Sequence, residues 1–227
     1  MTDRPIIFSA PMVRALLDGR KTQTRRVLGN SGPGRGRSNI FSAQIGWSDS
    51  YVLDPGNANW RERDTPYAPG DRLWVREAWR FDAEWDDCPP REFDGADAIH
   101  YEADGETRLH LWGNPFTPGR LRPPIHMPRW ASRLTLIVTD VRVQRVQEIS
   151  EADAKAEGAD DGFRQIVAPG NCPEPRCDGV HYGPLWHFRD IWNSIHGPDA
   201  WDANPWVAAI SFTVHRCNID TMEEGTW

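Results

Sequence analysis

Three stretches of this chain alternate apolar and polar residues with a period of two, and no amphipathic helix recurs regularly between them. In Arg72-Leu73-Trp74-Val75-Arg76-Glu77-Ala78-Trp79-Arg80, the side chains of Leu73, Val75, Glu77 and Trp79 share one face of a strand. Leu134–Val146 is the second stretch. Its alternation changes phase between Val138 and Val141, which predicts a bulge or a bend. The third, Val207–Val214, puts Ile210, Phe212 and Val214 on one face. Ile6–Phe8 reads as a short first strand, with weaker strand signals near Ala98–Glu102 and Arg108–Trp112. Helices are few. Ser9 and Pro11 open one whose face is Met12, Ala15, Leu16 and Leu17, and Gly19 closes it. Ser150 opens a short one that ends at Gly158, and Pro184–Ile195 forms a longer amphipathic one. This order argues against a doubly wound parallel sheet. It predicts an α+β fold, a mixed and mostly antiparallel β-barrel with short flanking helices.

The segments 29–69 and 82–125 are rich in Gly, Ser, Asn, Asp and Pro, and read as two loop-rich insertions in a single domain spanning 1–227. A hydrophobic fraction of 39% with 12 Trp predicts a folded globule. No apolar run approaches the roughly 20 residues needed to span a bilayer, and Met1–Phe8 does not resemble a secretory leader. Cys88, Cys172, Cys177 and Cys217 are too sparse for a disulfide scaffold, so a cytoplasmic location is expected. There is no Gly-x-Gly-x-x-Gly, Walker-type loop or nucleophile-elbow Ser, so no cofactor is expected. Cys172, Cys177 and His181, completed by Cys217 or His187, form a candidate zinc set. Their spacing is looser than structural zinc prefers, and the expectation is of no metal.

The net charge of −7 disfavours a general nucleic-acid binder. Its distribution is uneven: residues 14–37 hold seven basic side chains against Asp18 alone, whereas 148–227 hold fourteen acids against five bases. A basic edge on an acidic body suits a local phosphate or carboxylate contact, or pairing with the acidic half.

Of 26 basic residues only Lys21 and Lys155 are lysine. Arginine keeps its proton at any useful pH, whereas a lysine that is desolvated or crowded by cations releases it. Lys21 stands beside Arg20, Arg25 and Arg26, which makes it a candidate general base at the rim of a polar cleft. Thr24 is a candidate nucleophile, with Thr22 as a competing hydroxyl. In a turn Lys21 and Thr24 can meet, but in a regular strand they face opposite ways. Glu157 and Glu77 are the candidate carboxylates. Glu77 lies on an otherwise apolar face and must be functional or paired, with Arg25 or Arg26 the partners in view. Trp79 and Trp130 are candidates for stacking a base, against the plainer role of core packing.

The segment Gly19-Arg20-Lys21-Thr22-Gln23-Thr24-Arg25-Arg26 after a short helix resembles the N-terminal signature of the ASCH family in the PUA-like superfamily. Gly70-Asp71 before a strand and Ala154-Lys155-Ala156-Glu157-Gly158 fit later elements of that family. Trp74–Trp79, Met127–Arg133 and Asn204–Val207 resemble ASCH proteins of phages and prophages. The branch typified by bacterial N(4)-acetylcytidine amidohydrolases uses a lysine, a threonine and a glutamate, which the motifs carry onto Lys21, Thr24 and Glu157. The resemblance implies an amidohydrolase for an N(4)-acylated cytidine or related nucleobase, with Arg20, Arg26, Glu77 and Trp79 around the substrate. The rival is a non-catalytic module that binds RNA or a modified nucleoside, with arginines on phosphates. A ribonuclease is a third reading.

Overall fold

The computed structural model describes residues 1–28, 49–57, 65–92, 98–108, 116–160 and 183–222. In chain order the principal elements are β1 (Asp3–Ile7), α1 (Ala10–Leu17), β2 (Gln23–Val27), α2 (Asp49–Val52), β3 (Arg72–Arg76), β4 (Trp79–Arg80), β5 (Ile99–Tyr101), β6 (Thr107–Arg108), β7 (Thr135–Arg145), α3 (Glu151–Ala156), α4 (Pro184–His196) and β8 (Trp206–His215). Short 3-10 turns punctuate the loops. One sheet has the order β1-β3-β7-β8-β2 and a second has the order β4-β5-β6. The β1–β3 pair is parallel, and β3–β7, β2–β8, β4–β5 and β5–β6 are antiparallel. The fold is therefore α+β with mostly antiparallel strands.

Among the described residues the sheets do not close into a barrel. Closure would require β1 and β2 to bond to each other. They are instead the two ends of the larger sheet, and each has its ladder on its inner neighbour. The single strand expected over Arg72–Arg80 is also two strands. The chain leaves the first ladder after Arg76, and the Glu77 amide donates to Met127 Sδ before β4 joins the second sheet. The alternation still marks what is buried: Leu73, Val75, Glu77 and Trp79 are all sequestered from solvent. In β7 the run Thr135–Val138 is buried, Thr139 and Asp140 are exposed, and Val141 is buried again, which is the phase change present in the sequence.

Contacts group the chain into two units, each discontinuous in sequence. The first comprises Met1–Gly19, Ala68–Asp140 and Phe212–Trp227. Its aromatic core is Trp79, Phe81, Ile99, Tyr101, Met127 and Ala131, with the Trp79 and Phe81 rings edge to face. Gly70, at φ 87°, makes the turn into β3, and its amide donates to Val138 O. The Asp71 carboxylate beside it accepts from the amides of Thr2 and Ala68.

The second unit comprises Arg20–Tyr67 and Val141–Ser211. Its core is Val146, Ile149, Ala154, Ala159, Phe188, Trp192 and Val207, so α3 and α4 present their apolar faces inward. Burial of a side chain such as Phe188 contributes about 1.5–3 kcal/mol. Ser150 caps α3 by accepting from the Asp153 amide. Ser9, by contrast, has extended backbone at the start of α1 and makes no side-chain cap bond.

Three aspartates are held below their ordinary range. Asp3 is lowered chiefly by its hydrogen bond from Arg72, against burial and with help from Arg129. For Asp104 and Asp153 burial pushes upward, but Arg133 outweighs it at Asp104, and Arg142 with Arg25 outweighs it at Asp153. The unfolded chain therefore binds more protons in acid. The stability these groups supply is fully present above the ordinary aspartate value of about 3.9 and is lost as pH falls through the depressed folded values. Thermal melts should show a Tm that drops below about pH 4, and less steeply in Asp153→Asn. A Tm unchanged down to about pH 2 would contradict this linkage.

Candidate functional site

Lys21 lies just before β2 and is linked to the end of α3 by an isolated antiparallel bridge to Glu157. The Thr22 amide donates to Ala156 O at 2.8 Å, which fastens this corner. Glu157 is the C-cap residue of α3 with helical backbone, and Gly158 follows at φ 89° and turns the chain away. The cap spacing places Asp153 and Glu157 four residues apart on one side of the helix. Across from them the period of a strand puts Lys21, Gln23 and Arg25 on one stripe.

These two polar rows interlock. Lys21 Nζ donates to Glu157 Oε2 at 2.7 Å, to Glu157 O at 2.8 Å and to Gln23 O at 2.9 Å. Those three acceptors match the three protons of an ammonium. Arg25 Nη1 donates to Glu157 Oε1 at 3.1 Å and to Gln23 Oε1 at 2.7 Å, and Arg25 Nη2 pairs with Asp153 at 3.2 Å. Gln23 Nε2 donates to Asp153 and to Ser211, and Arg142 donates to Asp153 from β7. The Arg25 guanidinium lies 5.7 Å from the centre of the Phe188 ring on α4. Lys21 is 0% exposed, so it is a buried cation and not the cleft-rim residue expected from its neighbours in sequence. Its polarity is tolerated because every proton finds an oxygen. Burial pushes the Lys21 amine below its ordinary value, the Glu157 carboxylate pulls it back up, and Arg26 and Arg25 lower it again; the net direction is down.

The structure thus brings Lys21 and Glu157 together. Thr24 sits on β2 opposite Ile210, buried, on the strand face that alternates away from Gln23 and Arg25. Arg26 shares that alternate phase and is half-buried opposite Ala208. Arg20 is exposed, and its Nη1 reaches Gly158 O at 3.4 Å. The sequence does not mark Gln23 and Asp153 as members of this cluster, and it offers Arg25 as a neighbour of Lys21 or a partner of Glu77 and not of Glu157. The signals are present as a polar stripe at positions 21, 23 and 25 of a strand and as acids at i and i+4.

Glu77, Trp79 and Trp130 belong to the first unit. Glu77 forms a two-pronged pair with Arg133, Nε to Oε1 and Nη2 to Oε2, both at 2.9 Å. Its partner is therefore Arg133, not Arg25 or Arg26. Arg133 also bonds Asp104 and Glu106, and its guanidinium lies 4.1 Å from the Tyr101 ring centre. Burial raises the Glu77 carboxyl against the pull of Arg133. Burial alone would lower Arg133, but its bonds to Glu77 and Asp104 outweigh that and raise it. Trp79 is 0% exposed and its indole belongs to the aromatic core. Trp130 is half-buried, stacked on Phe81, with Arg108 over its ring.

Among the described residues no group of three His, Cys, Asp or Glu side chains could hold a metal ion. Cys172, Cys177 and His181 lie outside the described residues. Nor is any described helix long and apolar enough to cross a membrane. Comparison with known protein families, with curated proteins and with solved structures finds no match to this chain.

Proposed function

We propose that the chain is a metal-independent amidohydrolase with a PUA-like fold that removes the acyl group from an N(4)-acylated cytidine or a related nucleobase. The observation that supports this reading most is the 2.7 Å contact between Lys21 Nζ and Glu157 Oε2, across 136 residues of sequence. These are two of the three positions that the ASCH resemblance assigns to catalysis. A lysine whose pKa is lowered by burial is suited to serve as a general base. In this reading Lys21 takes the proton of the Thr24 hydroxyl, Thr24 Oγ1 attacks the amide carbonyl, and Glu157 holds the amine in place. The Lys21 ammonium gives that proton to the departing cytosine amine as the C–N bond breaks, leaving an acyl ester on Thr24; Lys21 then takes a proton from water, whose oxygen attacks the ester, and returns it to Thr24 Oγ1 as the carboxylic acid leaves. Arg20 and Arg26 supply positive charge to the substrate.

A second reading is a non-catalytic module for RNA or a modified base. It is favoured by the alternation of β2, which turns Thr24 away from the Gln23 and Arg25 stripe, and by the three acceptors around Lys21. Incubation with a panel of acylated cytidines, followed by chromatography, separates the two. Release of cytidine that persists in EDTA is expected for the hydrolase. Release that is lost in EDTA and restored by zinc would move attention to Cys172, Cys177 and His181. No release, together with RNA affinity that falls about tenfold or more between low and moderate salt, would instead establish the binding module.

A further inference from the structure

We propose that Arg25 is a positioning residue for the Lys21–Glu157 pair: it clamps one oxygen of the Glu157 carboxylate so that the other faces Lys21, and its charge biases where the shared proton resides. The inference rests on the amidohydrolase reading for its role in turnover, but its geometry stands alone. The carboxylate of Glu157 is divided, with Oε2 on Lys21 and Oε1 on Arg25. An unclamped carboxylate would rotate and offer either oxygen. Arg25 is itself fixed at two further points, by Gln23 Oε1 and by Asp153. Its side chain is fully buried, lies over Phe188 and touches no solvent. A guanidinium suits this task because its planar fork reaches several acceptors in fixed directions.

The same contacts also set the charge around Lys21. A lone buried Lys–Glu pair would hold the proton tightly on the amine. Here the same carboxylate also answers to a second permanent cation, so its pull on Lys21 is shared. The charged groups that bear on Lys21 are Glu157 from the end of α3, and Arg25 and Arg26 from β2. Those that bear on Arg25 are Glu157 and Asp153, and Asp153 is in turn paired with Arg142 of β7. Removing Arg25 takes away one cation and frees Glu157 for Lys21, and both changes favour the ammonium. The Lys21 midpoint should therefore move up.

The chain itself provides the means to test this, since Lys21 and Lys155 are its two lysines. Selective 15N-lysine labelling gives two side-chain signals, and exposed Lys155 on α3 is the internal reference. In the native protein Lys21 should titrate below the ordinary lysine value of about 10.4. In Arg25→Met its midpoint should rise by about 1–2 pH units. The pH–rate profile on acetylcytidine should shift upward by a similar amount, so that activity lost at neutral pH returns at high pH. Arg25→Lys keeps the charge and should hold the midpoint closer to native. If Arg25→Met does not fold, Arg25→Gln removes the cation while keeping a polar side chain for Glu157 and should show an upward shift in the same direction. An unmoved Lys21 midpoint in a folded variant, or a uniform loss of activity at all pH values, would reduce Arg25 to a structural role. If the midpoint shifts but the native protein hydrolyses no acylcytidine, the clamp stands and the amidohydrolase reading fails.

Discussion

Glu157→Ala should cost about 3–5 kcal/mol of folding stability, because it removes one partner from a buried ion cluster and leaves the others charged. The carboxylate is nearly inaccessible and serves Lys21 and Arg25 at once. Without it Lys21 loses its carboxylate and keeps the carbonyls of Gln23 and residue 157, and Arg25 relies on Asp153 and Gln23. A loss of that size is a large share of the roughly 5–15 kcal/mol that holds a typical domain together. The deficit should also depend on pH. Burial already lowers the Lys21 amine, and loss of the opposing carboxylate lowers it further. The unfolded chain then binds the Lys21 proton more tightly than the folded one. Folded stability must therefore rise with pH between the depressed folded value and the ordinary lysine value of about 10.4. Urea unfolding of Glu157→Ala should thus show a deficit that narrows from pH 7 towards pH 10. Glu157→Gln, which keeps an acceptor oxygen, should lose less. A loss under about 1 kcal/mol for the alanine variant would mean that the cluster is dispensable to the fold.

The parts of this arrangement that depend on local pattern are legible in the amino-acid sequence. Alternation locates β3, β7 and β8, the capping residue Ser150 locates α3, and apolar spacing locates α4. Each signal arises within a few residues and reports which face is buried. The open sheet is not legible, because barrel closure depends on how the two outermost strands approach, and no local pattern in β1 or β2 records that. The same limit explains Glu77. Its burial follows from its place among Leu73, Val75 and Trp79, but its partner is 56 residues away, among 24 arginines of equal chemical merit. In the sequence Lys21 and Glu157 are linked only through a resemblance to the ASCH pattern, since 136 residues of separation give no physical hint of the contact. The partners of Arg25 escape notice for a related reason. In sequence it reads as a cation near Lys21 or a partner for Glu77, whereas the strand phase turns it towards Asp153 and Glu157.

If the chain is the proposed amidohydrolase, Thr24→Val should lower kcat on N(4)-acetylcytidine by roughly 100-fold or more, while costing only about 1 kcal/mol of stability. Valine retains the branched shape that suits β2 opposite Ile210, and it removes the hydroxyl that would carry the acyl group. Lys21→Arg should lower turnover at least as much, because a guanidinium does not supply the neutral form a base requires. That variant alone is ambiguous, since Lys21 is fully enclosed and the larger fork must displace Glu157 or Gln23. Thr24→Val carries no such charge change, and Thr24→Ser provides the control that restores a hydroxyl without the methyl group. If Lys21 and Thr24 act as one unit, the Lys21→Arg and Thr24→Val double variant should be little slower than either single one. Circular dichroism and urea melts identify which variants are folded, and kcat is compared only among those. Full turnover in folded Thr24→Val would remove the hydroxyl from the mechanism. The strand phase that turns Thr24 away from Gln23 and Arg25 would then describe its working position, and the buried Lys21–Glu157–Arg25 cluster would be a structural support for a base-binding module.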